Sequence, residues 1–203
     1  MANYPERKFP GHFAGGVIPY TNGAGMVQFL VIGVLHISFE HADNDARRRA
    51  MQVKFPGGCG ESREENANPT TILVRELQSE IAAVNGSLRI TVNGELYRET
   101  KRARSPSEED HLKFFFACRV DGPLRQVDML EEEGDELLSP PFLIGARALV
   151  GKVYPTHREP LIKALEALSH DNRAVAVEYA DILAAYHAKC LWPEQARLRY
   201  SRR

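Results

Sequence analysis

Cysteine is scarce in this chain of 203 residues, net charge is nearly absent, and no long apolar run occurs. The three cysteines, Cys59, Cys118 and Cys190, are odd in number and far apart. That spacing excludes a disulfide framework and a CxxC metal site, and it points to free thiols in a reducing compartment. Cys118 lies in an apolar run and reads as a small core residue. A formal net charge of −1 gives no global basic field for nucleic acid and no acidic field for a basic partner. The longest apolar stretch, around Met26–Leu35, is interrupted by Gln28 and Gly33 and is too short to span a bilayer. Met1 to Gly16 lack the apolar centre of a signal peptide. The expectation is a soluble cytoplasmic protein with neither a membrane nor a nucleic-acid partner.

What is present suits a packed domain: 43% hydrophobic and 26% charged residues, with no internal repeat. Gly15–Tyr20 reads as a strand, Thr21–Gly25 as an Asn-Gly turn and Met26–Leu35 as a second, buried strand, together a β-hairpin. His36–Arg49 reads as a loop and Ala50–Phe55 as a strand. An irregular acidic loop over residues 59–67 leads to a helix start, where Asn68 caps and Pro69 takes the first helical position. Leu73, Leu77, Ile81 and Val84 recur at helical spacing, and Asn85-Gly86 is a natural stop. Ser87–Val92 and Leu96–Glu99 are expected as a second hairpin around Asn93-Gly94. His111–Val120 is the strongest strand of the second half, with Phe114–Phe116 in the core. Asp128–Glu136 reads as a loop, and Pro140-Pro141 as a break before Phe142–Val150. Two helices follow, from Thr156 to about Leu168 and from Asp171 or Asn172 to about Cys190, with a basic tail at Glu194–Arg203. Strands early and helices late, with one central helix between them, make a mixed α/β or α+β layered domain with a helical C-terminus. The expected organisation is a core over 1–155 with C-terminal helices over 156–203 packed on it. An Ala-rich segment such as Ala180–Ala188 makes a homodimer contact the alternative use of those helices.

The chemistry is concentrated in Phe55-Pro56-Gly57-Gly58, Glu61, Glu64 and Arg75-Glu76-Leu77-Gln78-Ser79-Glu80. Glu76 and Glu80 stand one helical turn apart, so their carboxylates share a face. The apolar stripe buries the opposite side. Two carboxylates and a backbone carbonyl from the glycine turn suit Mg²⁺ or Mn²⁺, which prefer oxygen ligands and keep several waters. Arg75 is placed to orient the acidic loop by a bidentate pair, with Glu64 the expected partner. Taken alone, Glu76 and Glu80 would read as a solvated helix face; the glycine turn and the acidic loop favour a site.

This stretch resembles the signature of the Nudix hydrolases, G-x5-E-x7-R-E-U-x-E-E-x-G-U with U apolar. Gly58 matches the leading glycine, Glu64 the first acid, and Arg75, Glu76, Leu77 and Glu80 the helical block. Gly16–Tyr20, Met26–Ile32, Phe115–Pro123, Pro140–Phe142 and His157–Glu159 resemble further pieces, so the resemblance runs over about residues 14–165. There are two departures. The spacing from Glu64 to Arg75 is three residues longer than the pattern, before the Asn68-Pro69 helix start, where a loop absorbs it. Ser79 replaces one acid of the glutamate pair, and Ala82 and Ala83 stand at the small and apolar positions that follow.

The resemblance implies a Nudix-type α/β/α sandwich with a mixed sheet and a helical C-terminal extension. It implies hydrolysis of the pyrophosphate bond of a nucleoside diphosphate linked to another moiety, by in-line attack of an activated water on phosphorus. Gly57, through its carbonyl, and Glu80 would hold Mg²⁺ or Mn²⁺. Glu76 would be a ligand or the base, with Glu64 and Arg75 in support. A further acid would come from Glu131, Glu132, Glu133 or Glu136. Arg47-Arg48-Arg49 and Lys54 precede the turn, and Arg48 and Lys54 are the candidates to bind substrate phosphates. The histidines show no HxH or HExxH spacing, and His157 is expected to cap or pack near a helix start. The alternative, motivated by Ser79 and the longer loop, is a catalytically impaired Nudix-fold module that binds or senses a nucleotide.

Overall fold

The computed structural model describes residues 11–41, 43–82, 88–101, 110–124, 131–133, 135–170 and 172–187. The strands are β1 (Phe13–Val17), β2 (Pro19–Thr21), β3 (Val27–His36), β4 (Gln52–Lys54), β5 (Gly57–Cys59), β6 (Arg89–Lys101), β7 (His111–Asp121), β8 (Glu131–Glu133) and β9 (Glu136–Gly145). The helices are α1 (Asn44–Ala50), α2 (Arg63–Ala67), α3 (Pro69–Ile81), α4 (Ala146–Val150), α5 (Arg158–Ser169) and α6 (Arg173–His187). One sheet runs β5-β1-β7-β6 and is mixed, because β1 and β7 are parallel. The other runs β2-β3-β9-β8, with β4 also on β3, and is antiparallel.

Side-chain alternation along the strands generates two cores on opposite faces of the sheets. Leu30, Ile32 and Val34 of β3 and Phe114, Phe116, Cys118 and Val120 of β7 meet Ile72, Leu73, Leu77 and Ile81 of α3. The intervening Phe29, Val31 and Phe115 meet Leu149 of α4, Leu161 and Leu165 of α5, and Val175 and Ile182 of α6. The expected α/β/α layering is therefore present. The four apolar residues of α3 are essentially inaccessible to water. At roughly 2 kcal/mol for each buried side chain, that face outweighs the modest helix propensity of its Thr70-Thr71 start. Burial pushes the Cys118 thiol up to about 12, as fits a core residue rather than a nucleophile.

The first hairpin forms only in part: Pro19–Thr21 pairs with β3, with Asn22 Oδ1 accepting the N–H groups of Ala24 and Met26 in the turn, whereas Gly15–Val17 of the expected strand belong to β1 in the other sheet. Five other expectations are corrected. First, His36–Arg49 holds a turn of 3₁₀ helix at Ile37–Phe39 and then α1, capped by Asp43. Second, the 59–67 segment holds α2, capped by Ser62. Third, Asn93-Gly94 is not a hairpin turn. β6 continues through it and pairs with β7 from Arg89 opposite Asp121 to Lys101 opposite His111. The mismatch is taken up by two register shifts, between Val92 and Gly94 and between Glu95 and Tyr97, because the long apolar ladder of β7 rewards continued pairing. Fourth, Pro140-Pro141 does not break the chain but lies inside β9. Three features accommodate the prolines. The ladder with β3 shifts between Ile32 and Val34, Ser139 Oγ accepts the Gly33 N–H at 2.8 Å, and β8 pairs only with Glu136–Leu138, short of them. Fifth, the expected loop over 128–136 contains β8. The basic tail and the end of the last expected helix, from residue 188 onward, lie outside the described residues. No described helix is long and apolar enough to cross a membrane.

Candidate functional site

The site is built where the turn at Pro56–Gly58 lies between β1 and α3. The Gly16 N–H donates to the Pro56 carbonyl at 2.8 Å, and β5 then pairs antiparallel with β1. Gly57 has φ +147°, and a Cβ there would run into the Ala14 carbonyl and the Gly15 backbone. A Cβ on Gly58 would fall on the Glu76 carboxylate. These glycines allow the turn to sit directly under two acids. Glu80 Oε2 accepts the Gly57 N–H at 2.6 Å, and Glu76 lies against Gly58. The predicted shared face of Glu76 and Glu80 is thus aimed at consecutive residues of the turn.

Arg75 ties the acidic segment to this helix. Its Nε donates to Glu65 Oε1 at 2.9 Å, and its Nη2 to Glu65 Oε2 at 3.3 Å and to the Cys59 carbonyl at 2.9 Å. Its Nη1 lies 2.7 Å from Glu76 Oε1 and 3.4 Å from Glu61 Oε1. The expected bidentate partner was Glu64; the structure puts Glu65 there and leaves Glu64 exposed in the first turn of α2. The physical reason is the helix itself. Ser62 Oγ accepts the Glu65 N–H at 3.2 Å, and Glu65 Oε2 accepts the Glu61 N–H at 2.7 Å. The Glu61 N–H and then the Arg75 guanidinium hold the Glu65 carboxyl below the ordinary glutamate range, against a desolvation that pushes it up. Ser62-x-x-Glu65 is a capping-box pattern, and that pattern in the sequence is the signal that singles out Glu65 over Glu64.

The substrate-binding candidates fare differently. Lys54, the last residue of β4, lies opposite Ile32 of the α3-side core and places its Nζ 3.5 Å from Glu80 Oε1. It thus faces the acid. The side chain of Arg48 lies outside the described residues, on a helix where a loop was expected; Arg47 is half-buried and Arg49 exposed. The Glu136 carboxylate accepts the Tyr154 hydroxyl at 2.8 Å. The side chains of Glu131, Glu132 and Glu133 lie outside the described residues. Ser79 is exposed. Among the described residues no group of three His, Cys, Asp or Glu is set to hold a metal ion. Glu76 and Glu80 therefore offer a two-carboxylate, oxygen-only set, which fits Mg²⁺ or Mn²⁺ because these ions use one or two carboxylates and fill the remainder with water and phosphate oxygen.

His157 supports the turn from the other face. It is buried among Phe13, Phe55, Phe115 and Tyr154, and its Nδ1 accepts the Phe55 N–H at 3.0 Å. That bond requires the neutral ring with its proton on Nε2. Burial pushes the imidazole down to about 3, helped by the charges of Lys113 and Lys54. Its ordinary value near 6.5 applies in the unfolded chain, so folding favours the neutral form. The resulting stability is fully present above pH 6.5 and drains away as pH falls towards 3, on the order of 4 kcal/mol by pH 3. Urea unfolding of the wild type between pH 7 and 3.5 should show this decline, and His157→Gln, which keeps an acceptor without titrating, should flatten it. Equal slopes for the two proteins would remove His157 from the acid sensitivity.

No family model matches this chain, and no curated protein matches it. Among solved structures it is similar to a mutT/nudix family protein from Listeria innocua, at 14% identity and a TM-score of 0.48, over 80% of this chain and 96% of that one. It is similar to a Nudix hydrolase from M. smegmatis at 13% identity and a TM-score of 0.47, over 81% and 90%. It is also similar to a C. elegans Ap4A hydrolase in a binary complex, at 15% identity and a TM-score of 0.46, over 79% and 98%.

Proposed function

We propose that this chain is a divalent-metal-dependent hydrolase of the Nudix kind, acting on the pyrophosphate bond of a nucleoside diphosphate linked to another moiety. The observation that carries the reading is the convergence of Glu76 and Glu80, one turn apart on α3, on the backbone of Gly57 and Gly58. Glu80 and Glu76 hold the ion in this reading, with the Gly57 carbonyl as a further oxygen. A bound divalent ion supplies charge neutralisation at the phosphates and a more acidic water. The residues of the chain do the rest. Arg75 fixes the orientation of Glu76 and ties it to α2 through Glu65. Glu76 is the group to take the proton of the attacking water. The new bond joins that water's oxygen to phosphorus, the bridging P–O bond breaks, and the leaving phosphate keeps the electron pair. Glu136, held by Tyr154, is the described residue from the later acidic segment that this reading keeps as a distal acid.

One observation favours a second reading, a nucleotide-binding module without turnover. Both acids already face cations, Glu76 facing Arg75 and Glu80 facing Lys54, and Ser79 adds no third carboxylate. Phosphate release measured across a panel of nucleoside diphosphate derivatives, with Mg²⁺, Mn²⁺ and chelator, separates the two. Chelator-sensitive release is the expected result. Thermal stabilisation by the same compounds with no release, rescued by Ser79→Glu, would establish the module instead.

A further inference from the structure

We propose that Lys54 is a built-in cation of this site, contending with divalent metal for Glu80 and standing in for a second ion. The inference rests on the metal-dependent reading above. Lys54 and Glu80 are both largely withdrawn from water, with side chains 14% and 11% exposed, and stand 3.5 Å apart. An ammonium in such surroundings is costly unless a carboxylate faces it, so the pair is a fixed part of the site rather than a surface contact that comes and goes. The position is set by the sheet. β4 pairs with β3 so that Lys54 lies opposite Ile32, on the face that α3 covers, while Val53 enters the other core.

Charge decides what this lysine does. Ion pairs of 3.5 Å or less link Glu61, Glu65, Glu76 and Glu80 to Arg75 and Lys54. Among the described ion pairs, four carboxylates thus meet two cations, and a divalent ion at Glu80 would add positive charge beside Lys54. A second divalent ion beside Glu80 would face the Lys54 ammonium, and with side chains only 14% and 11% exposed that repulsion is less screened than in water. With Ser79 in place of an acid, Lys54 thus takes over part of the electrostatic task that a larger set of ions would perform.

Mn²⁺ titration of the full chain, with free Mn²⁺ read by electron paramagnetic resonance, tests this without reference to turnover. Only ions lost in Glu80→Gln are counted. The wild type should bind one such ion. Lys54→Met, which keeps the stem and removes the charge, should bind it about tenfold more tightly. Lys54→Arg, which keeps the charge, should stay within twofold of the wild type, and Lys54→Gln serves in place of the methionine if that variant does not fold. Lys54→Met together with Ser79→Glu should admit a second ion. If Glu80-dependent binding is present but the neutral variants bind like the wild type, the role of Lys54 falls and the metal site stands. If no variant and no wild type shows Glu80-dependent binding, both fall.

Discussion

Glu80→Gln should lower metal-dependent phosphate release by roughly 10³-fold while the protein stays folded. Glutamine retains an oxygen for the Gly57 N–H, which Glu80 accepts at 2.6 Å, so the turn keeps its anchor. What disappears is the negative charge that faces Lys54 and that would hold the ion. Loss of a ligand needed only when metal and substrate are bound acts on the transition state, so the fall should appear in kcat more than in the melting temperature. Lys54 is left without its charge partner although its side chain is only 14% exposed, so the thermal melt should fall by several degrees while the protein stays folded at assay temperature. Turnover equal to the wild type would show that the chemistry lies elsewhere in the molecule.

Gly57→Ala should be the most destabilising single substitution in the site. The residue sits at φ +147°, a region that residues with a Cβ rarely enter. The added Cβ would also meet the Ala14 carbonyl and the Gly15 backbone, neither of which can move aside without parting β5 from β1. Strain and steric clash together should cost roughly 3–5 kcal/mol, or on the order of 10 °C in melting temperature for a chain of this size. Gly23→Ala is the matched control. A Cβ there meets nothing within 4 Å, and the melt should move by no more than a degree or two. Equal melts for the two variants would mean that the close approach of turn and strand is dispensable.

Much of this architecture was legible in residue order because it depends on local periodicity. Leu73, Leu77 and Ile81 recur at helical spacing, which fixes the buried side of α3 and hence puts Glu76 and Glu80 together on the other. The alternation in β3 and the three phenylalanines of β7 assigns side chains to two faces in the same way. Local signals failed where a distant strand had a stronger claim. Asn93-Gly94 has the composition of a hairpin turn, but β7 offers pairing along the full length of β6, and two register shifts are less costly than lost ladder bonds. Pro140-Pro141 looks like a break, and becomes strand because the ladder with β3 shifts beside it and β8 ends short of it, so fewer ladder bonds call for the missing N–H groups. The fork of Arg75 shows the finest limit. Glu64 and Glu65 are one residue apart, and the choice belongs to the turn of helix that Ser62 starts.

Residue order by itself therefore determined a layered domain of mixed strands and helices, the apolar stripe of α3, the paired acids and the glycine turn, since each depends on neighbours within a helical turn or a strand repeat. Tertiary structure alone decided that β4 delivers Lys54 to Glu80 and that His157 holds the Phe55 N–H from about a hundred residues away. Those pairings depend on strand register and on which elements share a core, and the free energy that sets them is burial and ladder bonding summed over the whole domain, to which no short window of sequence has access.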